Sequence, residues 1–311
     1  MTRITTSLFF AALLAFCLHV ASAQAQYVRT CVSANGNDAN TCHCNQPCRT
    51  FQRAHDQTLS DGEVTVLDPG GYGPVTITKS ISIVNDWAGE ASIQVSGGGT
   101  GITVNAPAAG YVNLRGITIQ GVGFGGGVGL RFGAGFALTM TNCVVRNHTN
   151  DGIQFLPVAN SHLSLSNTIL ADNGGNGIRV QPTGGGSVKV TLTRVEAYNN
   201  SGDGIFVDGE FMLQSGAIRA TVTDSVAANN GATGFAVNSR AQLILIRSVA
   251  AANAKGASAS NASILLIGQS TVTGNKVSWS TAGTSLFASY GDNNIDANDD
   301  GGPAPPTFPK K

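Results

Sequence analysis

Residues 194–208 read RVEAYNNSGDGIFVD, and their pattern recurs along the chain. Each copy begins with a polar residue, continues with a short apolar segment and reaches a second polar residue six positions later. The other copies begin at Asn142, Asn167, Asp224, Arg247 and Gln269, so that successive starts are 25, 27, 30, 23 and 22 residues apart. A period of this size indicates a repeat architecture.

The second polar residue is asparagine in every copy but the first, where His148 takes its place. The asparagines are Asn173, Asn200, Asn230, Asn253 and Asn275. Asparagine tolerates a left-handed backbone and forms local hydrogen bonds, which suits a tight bend. If the copies stack, each side-chain amide can also bond to its neighbour in the next coil. The sequence therefore predicts a buried asparagine column.

In the first four copies a glycine and an alternating strand follow this bend. Strand side chains point alternately to opposite faces, so the predicted inward residues are Ile153, Phe155, Ile178, Val180, Ile205, Val207, Phe235 and Val237. A unit of about 25 residues cannot bury its apolar face alone, but it can when stacked on further copies. Glu196 aligns with Ile169 and Val226 in an apolar column, and a one-residue slip that turns Val195 inward is predicted to expose it.

The Asn-Asn bend followed by Gly-Ile resembles the right-handed parallel β-helix family, which includes pectate lyase-like enzymes and exported bacterial proteins. The resemblance covers roughly residues 64–295. It implies an all-β fold: a single-stranded right-handed parallel β-helix, a solenoid of about 9–10 coils with a short N-terminal capping helix. It implies little about activity, because one fold carries many functions. A β-propeller blade needs a period of about 40 residues, and a leucine-rich repeat needs more leucine.

The sequence divides into four predicted segments. Residues 1–23 resemble a signal peptide, with Arg3, a short apolar run and a small-residue cleavage site. A buried N-terminal helix and a lipoprotein anchor at Cys17 are the alternatives. Residues 24–63 form a disulfide-stapled cap, with an amphipathic helix within residues 49–59 that resembles the end plug of pectin lyase-like proteins. Residues 64–298 form the β-helix, and residues 299–311 are predicted to be a disordered tail.

Four cysteines crowd into the cap: Cys31, Cys42, Cys44 and Cys48. In an oxidising compartment they form two disulfides. Three pairings are possible, of which Cys42–Cys48 with Cys31–Cys44 is favoured. A metal site would need paired CxxC spacing, which is absent, so no metal is predicted. The remaining Cys143 is predicted to be a buried, inert thiol.

The charge balance excludes several classes of partner. Lys plus Arg number 18 and Asp plus Glu number 18, without a basic block. This argues against nucleic-acid binding and gives no attraction to anionic membranes. No segment is long enough for a membrane-spanning helix. No cofactor is predicted, the oligomeric state is left open, and the chain is expected to be exported, to the periplasm or the exterior.

The outward face of the Gly-Ile strands is the predicted binding surface. Successive coils lie about 4.8 Å apart, so side chains from three coils would form one polar patch with an aromatic ring: Gln154, Arg179, Gln181, Phe206 and Asp208. Arginine can donate to carboxylates, and phenylalanine can pack against a sugar face. The alternative is a solvated sheet face with an Arg179–Asp208 ion pair.

Three aspartates are weak catalytic candidates. Asp151 and Asp203 occupy the same turn two coils apart, about 9.6 Å, near the upper limit for the two acids of an inverting glycosidase. Asp172 lies one column away. All three have an ordinary explanation, because aspartate is common in turns. The Gly-His-Gly and Arg-Ile-Lys of polygalacturonase-like enzymes are absent, so no catalytic residue is carried over from the family.

These observations favour a non-catalytic exported β-helix, either structural or saccharide-binding, at the cell envelope or exterior. A polysaccharide lyase or glycoside hydrolase is the first alternative, and a surface adhesion module is the second. The only partner class predicted is a polysaccharide. Short insertions between coils favour the non-catalytic interpretation, because long loops usually build the walls of catalytic clefts.

Overall fold

The computed structural model describes residues 26–213 and 216–309. It confirms the predicted fold class: a right-handed parallel β-helix with one short α-helix. The predicted signal peptide lies outside the described residues. No helix in the part of the chain that the structure describes is both long and apolar enough to cross a membrane.

Each full coil contributes a strand to each of three parallel sheets, named A, B and C in chain order. Sheet A contains Tyr27–Val32, Thr58–Val66, Ile81–Val84, Tyr111–Arg115, Ala137–Thr141, Ile218–Thr223, Gln242–Ile246, Ile264–Gly268 and Leu286–Ser289. Sheet B contains Gly70–Gly71, Ala91–Val95, Ile117–Gly121, Val144–Arg146, Val226–Ala228, Val249–Ala251, Thr271–Thr273 and Asn294–Asp296. Two long strands bend from sheet A into sheet B: Ser161–Ala171 and Val188–Tyr198.

Sheet C is the separate nine-stranded sheet that carries the Gly-Ile strands. Its strands are Val75–Ile77, Thr100–Asn105, Val128–Ala134, Ile153–Phe155, Ile178–Val180, Ile205–Asp208, Thr233–Asn238, Lys255–Ser260 and Val277–Ala282. All eight residues predicted to point inward from this sheet are buried. They stack on their equivalents in the next coil, as in the Phe132–Phe155 pair with ring centroids 4.4 Å apart.

The corner between sheets A and B is a bend around one residue in the left-handed conformation. Asn142, Asn167 and Arg194 hold φ values of 54°, 47° and 52° there. Val195 is buried and Glu196 is exposed, as predicted, but the predicted slip is absent, because Ile169, Glu196 and Val226 pair in register. Their whole column points outward, and Val195 is already buried beside it.

The predicted asparagine column exists at the corner between sheets B and C. The side-chain Nδ2 of each asparagine donates to Oδ1 of the next, from Asn173 to Asn200 (2.9 Å) and onward through Asn230, Asn253 and Asn275 to Asn298. Each Oδ1 also accepts the backbone N–H of the preceding ladder residue. The ladder thus hydrogen-bonds buried backbone and side-chain groups together along the axis of the solenoid.

His148 ends this ladder. Its backbone N–H donates to Asn173 Oδ1 (3.2 Å), and its ring is fully buried. Nε2 lies 3.3 Å from the carbonyl oxygen of Ile119, whereas Nδ1 has no hydrogen-bond partner among the described residues. Burial therefore lowers the pKa of His148 below its usual value of 6.5, although the Ile119 carbonyl opposes the shift.

We expect His148→Asn to reduce the acid sensitivity of the fold. The unfolded chain takes up a proton near pH 6.5 and folded His148 does not, so stability is complete above pH 6.5 and falls as the pH drops below it. Thermal midpoints measured from pH 7.5 to 5 should decline less steeply in the variant than in the wild type. The pKa of buried His55 is also lowered by desolvation, so part of the slope should remain. An unchanged slope would contradict this account.

The N-terminal cap matches the sequence prediction in its main elements. The disulfides are Cys31–Cys44 and Cys42–Cys48, the favoured pairing. The helix spans Phe51–Gln57, and its N-cap Thr50 accepts a hydrogen bond from the backbone N–H of Arg53. The boundary at residue 64 differs, because Thr58–Val66 follows the helix directly and pairs with Tyr27–Val32. The cap therefore supplies strands to sheet A and joins the solenoid without a break.

The other end also differs from the sequence prediction. Residues 299–309 lie against the last coil, where the backbone N–H of Phe308 donates to Ser289 O (2.7 Å). The indole of Trp279 donates to Pro303 O (2.7 Å), and Tyr290 packs edge-on against Phe308. Proline residues have no backbone N–H to donate. The carbonyl groups of this proline-rich segment nevertheless accept hydrogen bonds from the last coil, whose sheet edges would otherwise be exposed. The segment predicted to be disordered therefore covers the end of the solenoid.

Candidate functional site

The outward face of sheet C brings the predicted binding residues together. Gln154, Arg179 and Phe206 pair in direct register on successive strands. All three are partly exposed, whereas the residues on either side of each are buried. Gln181 follows two residues after Arg179 and lies on the same face. The period-two alternation seen in the sequence therefore places this set on one surface.

Arg179 is held by a carboxylate of the preceding coil. Its Nη2 lies 2.8 Å from Oδ2 of Asp151, whose side chain is only 1% exposed. The other oxygen of Asp151 accepts from the backbone N–H and the side chain of Asn176, and Gln154 donates to Oδ2. The Arg179–Asp208 ion pair of the alternative interpretation does not form: Arg179 pairs with Asp151, and Asp208 accepts hydrogen bonds from Gln181 and Asn238. Nε of Arg179 is buried and has no acceptor among the described residues.

Asp208 is the member of the predicted set that the structure does not expose. It is 1% exposed and accepts hydrogen bonds from Gln181 (2.7 Å) and Asn238 (3.0 Å). It also accepts from the backbone N–H of Glu210 at the start of the following loop. Asp208 therefore orients Gln181 and the loop and is not itself available to a ligand on this face.

The loop after Asp208 adds an apolar edge to the face. The backbone N–H of Leu213 donates to Gly184 O in the preceding coil, and Arg240 donates to Met212 O. Phe211 and Leu213 are left 55% and 63% exposed. The sequence identifies this segment as the largest insertion of the solenoid, but it gives no sign that these two side chains point outward.

The three candidate acids have different environments. Asp151 is saturated by hydrogen bonds and the Arg179 ion pair, as described above. Asp172 lies at the corner between sheets B and C, with φ 56°, and accepts from Asn199 Nδ2 (3.1 Å), away from the sheet C face. Asp203 is the one of the three candidates whose pKa is raised. Burial raises its pKa above the usual value of 3.8, against the opposing effects of its hydrogen bonds to Thr233 and the charges of Lys255 and Arg179.

Residues 63–212 match a family model described as a right-handed beta helix region. The described residues have the fold of a right-handed parallel β-helix. No curated protein matches the sequence of this chain. The pectate lyase Pel9A shares the fold with a TM-score of 0.58 at 17% identity, over 89% of this chain and 80% of the lyase.

Two further solved structures are similar over most of this β-helix protein. The A-module of the Azotobacter vinelandii mannuronan C-5 epimerase AlgE6 has a TM-score of 0.45 at 15% identity, over 73% of this chain and 71% of the module. The corresponding module of AlgE4 has a TM-score of 0.44 at 15% identity, over 80% of this chain and 91% of the module. At such identities the likeness concerns the fold alone.

The described part of this β-helix protein holds no group of three or more His, Cys, Asp or Glu side chains arranged to bind a metal ion. Its free thiol, Cys143, is buried, and desolvation raises the pKa of that thiol to about 11. At neutral pH the thiol stays protonated and is a poor nucleophile.

Proposed function

We propose that this protein is an exported, non-catalytic saccharide-binding β-helix whose glycan contacts lie on the outward face of sheet C. The observation that carries the proposal is the register of Gln154, Arg179 and Phe206, which aligns amide, guanidinium and aromatic groups on successive coils. The edge formed by Phe211 and Leu213 extends the apolar part of this surface.

The fixed orientation of the polar groups supports binding. Arg179 is held by Asp151, and Gln181 is held by Asp208, so little side-chain freedom would be lost when a ligand binds. The side chain of Arg179 remains 36% exposed, so part of it is accessible to a ligand while the guanidinium stays paired with Asp151. Sugar hydroxyls accept and donate hydrogen bonds, and the carbon face of a sugar ring can cover Phe206.

The shape of the surface favours a polymer. The cavity beside this face, lined in part by Gly209, Met212 and Arg240, has a volume of about 60 Å³, well below the 300–1,000 Å³ of typical small-molecule pockets. A ligand would therefore lie along the open sheet across several coils. The two disulfides of the cap support export, because such bonds persist mainly in oxidising compartments.

The proposal predicts that Arg179→Gln and Phe206→Ala each weaken glycan binding at least about tenfold, as is common for central interface residues. Binding of the wild type and variants to polygalacturonate, alginate and neutral glucans would be measured by calorimetry. Arg219→Gln is the matched control, because Arg219 is exposed on sheet A and its loss removes the same charge. If the wild type binds neither the acidic glycans nor the neutral glucans, the saccharide-binding role is refuted and a structural role remains.

Asp203 supports one catalytic alternative, a polysaccharide lyase or glycoside hydrolase. A carboxyl with a raised pKa close to Arg179 has properties that suit a general acid. The same glycans would be incubated with the protein and examined for new reducing or unsaturated ends. New ends that form with the wild type but not with Asp203→Asn would favour the catalytic role over the non-catalytic one.

A further inference from the structure

The corner between sheets A and B carries an unusual loop across the coil from sheet C. In most other coils this bend takes no more than two residues, such as Gly116 between Tyr111–Arg115 and Ile117–Gly121. Residues 85–90 instead separate Ile81–Val84 from Ala91–Val95. Trp87 stands at the centre of this insertion with its side chain 97% exposed.

The loop is a built structure that holds the indole outward. Nδ2 of Asn85 donates to the carbonyl oxygens of Gly89 (2.8 Å) and Gly116 (2.9 Å). Its Oδ1 accepts the backbone N–H of Ala88 (3.2 Å), and its own backbone N–H donates to Arg115 O. These bonds tie Asn85 to the next coil and tie the far side of the loop to Asn85, so the loop that carries Trp87 is held by its own hydrogen bonds.

Trp87 separates two shallow cavities. One, of about 390 Å³, is lined by Asn85, Asp86, Gly89, Arg115 and Asn142 as well as the indole. The other, of about 310 Å³, has Arg29, Glu63, Asp86 and Trp87 among its lining residues. Both volumes fall in the range of small-molecule sites.

Each cavity contains one arginine–carboxylate pair. Asp86 and Arg115 are 2.7 Å apart and almost half exposed, and Arg29 and Glu63 are 3.5 Å apart, with side chains 61% and 42% exposed. The surroundings of the indole are therefore rich in both donors and acceptors and carry no net charge. A uronate carboxylate would gain from the arginines but would be repelled by Asp86 and Glu63.

We infer that Trp87 and the two flanking ion pairs form a second saccharide site, selective for neutral glycans. The indole offers a large, rigid apolar face, on which the carbon face of a neutral sugar ring can lie. The ring hydroxyls both donate and accept, which matches the guanidinium and carboxylate groups on either side. One sugar unit on each side of the indole would occupy both cavities.

The experiment uses the full chain with cellohexaose and mannohexaose as neutral probes and hexagalacturonate as the acidic probe. A neutral hexasaccharide should bind, shift tryptophan emission to shorter wavelength and reduce its quenching by acrylamide. Trp87→Ala should weaken this binding at least tenfold, and Asp86→Asn should weaken it by a smaller factor. Tyr111→Ala is the matched control, because it removes another aromatic side chain that is 59% exposed.

The two sites can be tested separately. The emission shift should disappear in Trp87→Ala, whereas Arg219→Gln, at an exposed residue of sheet A outside both proposed sites, should leave it unchanged. The inference is overturned if neither neutral probe binds the wild type, if Trp87→Ala binds as tightly as Tyr111→Ala, or if hexagalacturonate alone protects the indole. An indole that instead serves a protein partner would give the first of these results.

Discussion

Asn230→Ala is expected to lower the free energy of unfolding by about 4 kcal/mol, because several buried groups would lose their partners together. Oδ1 of Asn230 accepts both the backbone N–H and the Nδ2 of Asn200, at 3.1 Å and 3.0 Å. Its Nδ2 donates to Ala197 O and to Asn253 Oδ1. Each unsatisfied buried group costs about 1–3 kcal/mol, and the site is too deep for solvent to replace the amide.

Urea unfolding followed by circular dichroism would measure the loss. Asn229→Gly is the matched control. Asn229 is exposed at the adjacent position with φ 54°, a conformation that glycine adopts without strain. Its side chain donates only to Asn199 (2.6 Å) at the surface, so the control should stay within about 0.5 kcal/mol of the wild type.

Asn230→Asp would distinguish hydrogen bonding from packing. The aspartate has the same shape but replaces the Nδ2 donor with an acceptor facing Asn253 Oδ1. We expect it to be at least as destabilising as the alanine. A variant as stable as the wild type would show that the ladder contributes packing and not hydrogen bonds.

The fold was predictable because its determinants repeat. The asparagine column is visible in the sequence as a period, and the repeat fixes strand register, sheet membership and inward residues at once. A second ladder at the corner between sheets A and B was not identified. There the backbone N–H of Ser225 donates to Ser248 Oγ, and that of Ser248 donates to Ser270 Oγ. Serine is so common in turns that its recurrence did not stand out.

The sequence predicted where the candidate site lies, but it did not predict which side chains pair with one another there. Alternation puts Arg179 on the outward face, but its choice of Asp151 over Asp208 depends on side-chain reach between coils. Asp208 is buried because a loop and two neighbouring amides enclose it. Nothing in the sequence indicated that Trp87 is exposed, because tryptophan side chains are expected to be largely buried. Its exposure depends on the hydrogen bonds of Asn85 in the folded loop.

The glycine of the Gly-Ile strands has a physical cause in the same ladder. A Cβ on Gly204 would lie 2.8 Å from the carbonyl oxygen of Gly234 and 2.9 Å from Nδ2 of Asn230. The same crowding by the next coil and by a ladder amide occurs at Gly152, Gly177, Gly234 and Gly256. Glycine is therefore required by the close approach of neighbouring coils and not by an unusual backbone angle.

Gly204→Ala is accordingly expected to destabilise the protein by about 2–3 kcal/mol, as overpacking of a close-packed interior does. A glycine-to-alanine substitution usually has the opposite effect. Where the side chain fits, alanine restricts the unfolded chain and stabilises the protein by about 0.4–1 kcal/mol. Gly71→Ala is the matched control, since its Cβ would meet only Ser92 Oγ, at 3.7 Å. Scanning calorimetry should show a lower unfolding midpoint for Gly204→Ala than for the wild type. The midpoint of Gly71→Ala should be unchanged or higher.

The double variant Gly204→Ala with Asn230→Ala separates the two causes of crowding. Removing the Asn230 amide relieves one of the close contacts, while the Gly234 carbonyl remains at 2.8 Å. The combined loss should therefore be smaller than the sum of the single losses, since residues in contact are not additive. Strict additivity would mean that the carbonyl alone excludes a side chain. In that case the glycine column would follow from coil spacing, whatever residue occupies the ladder.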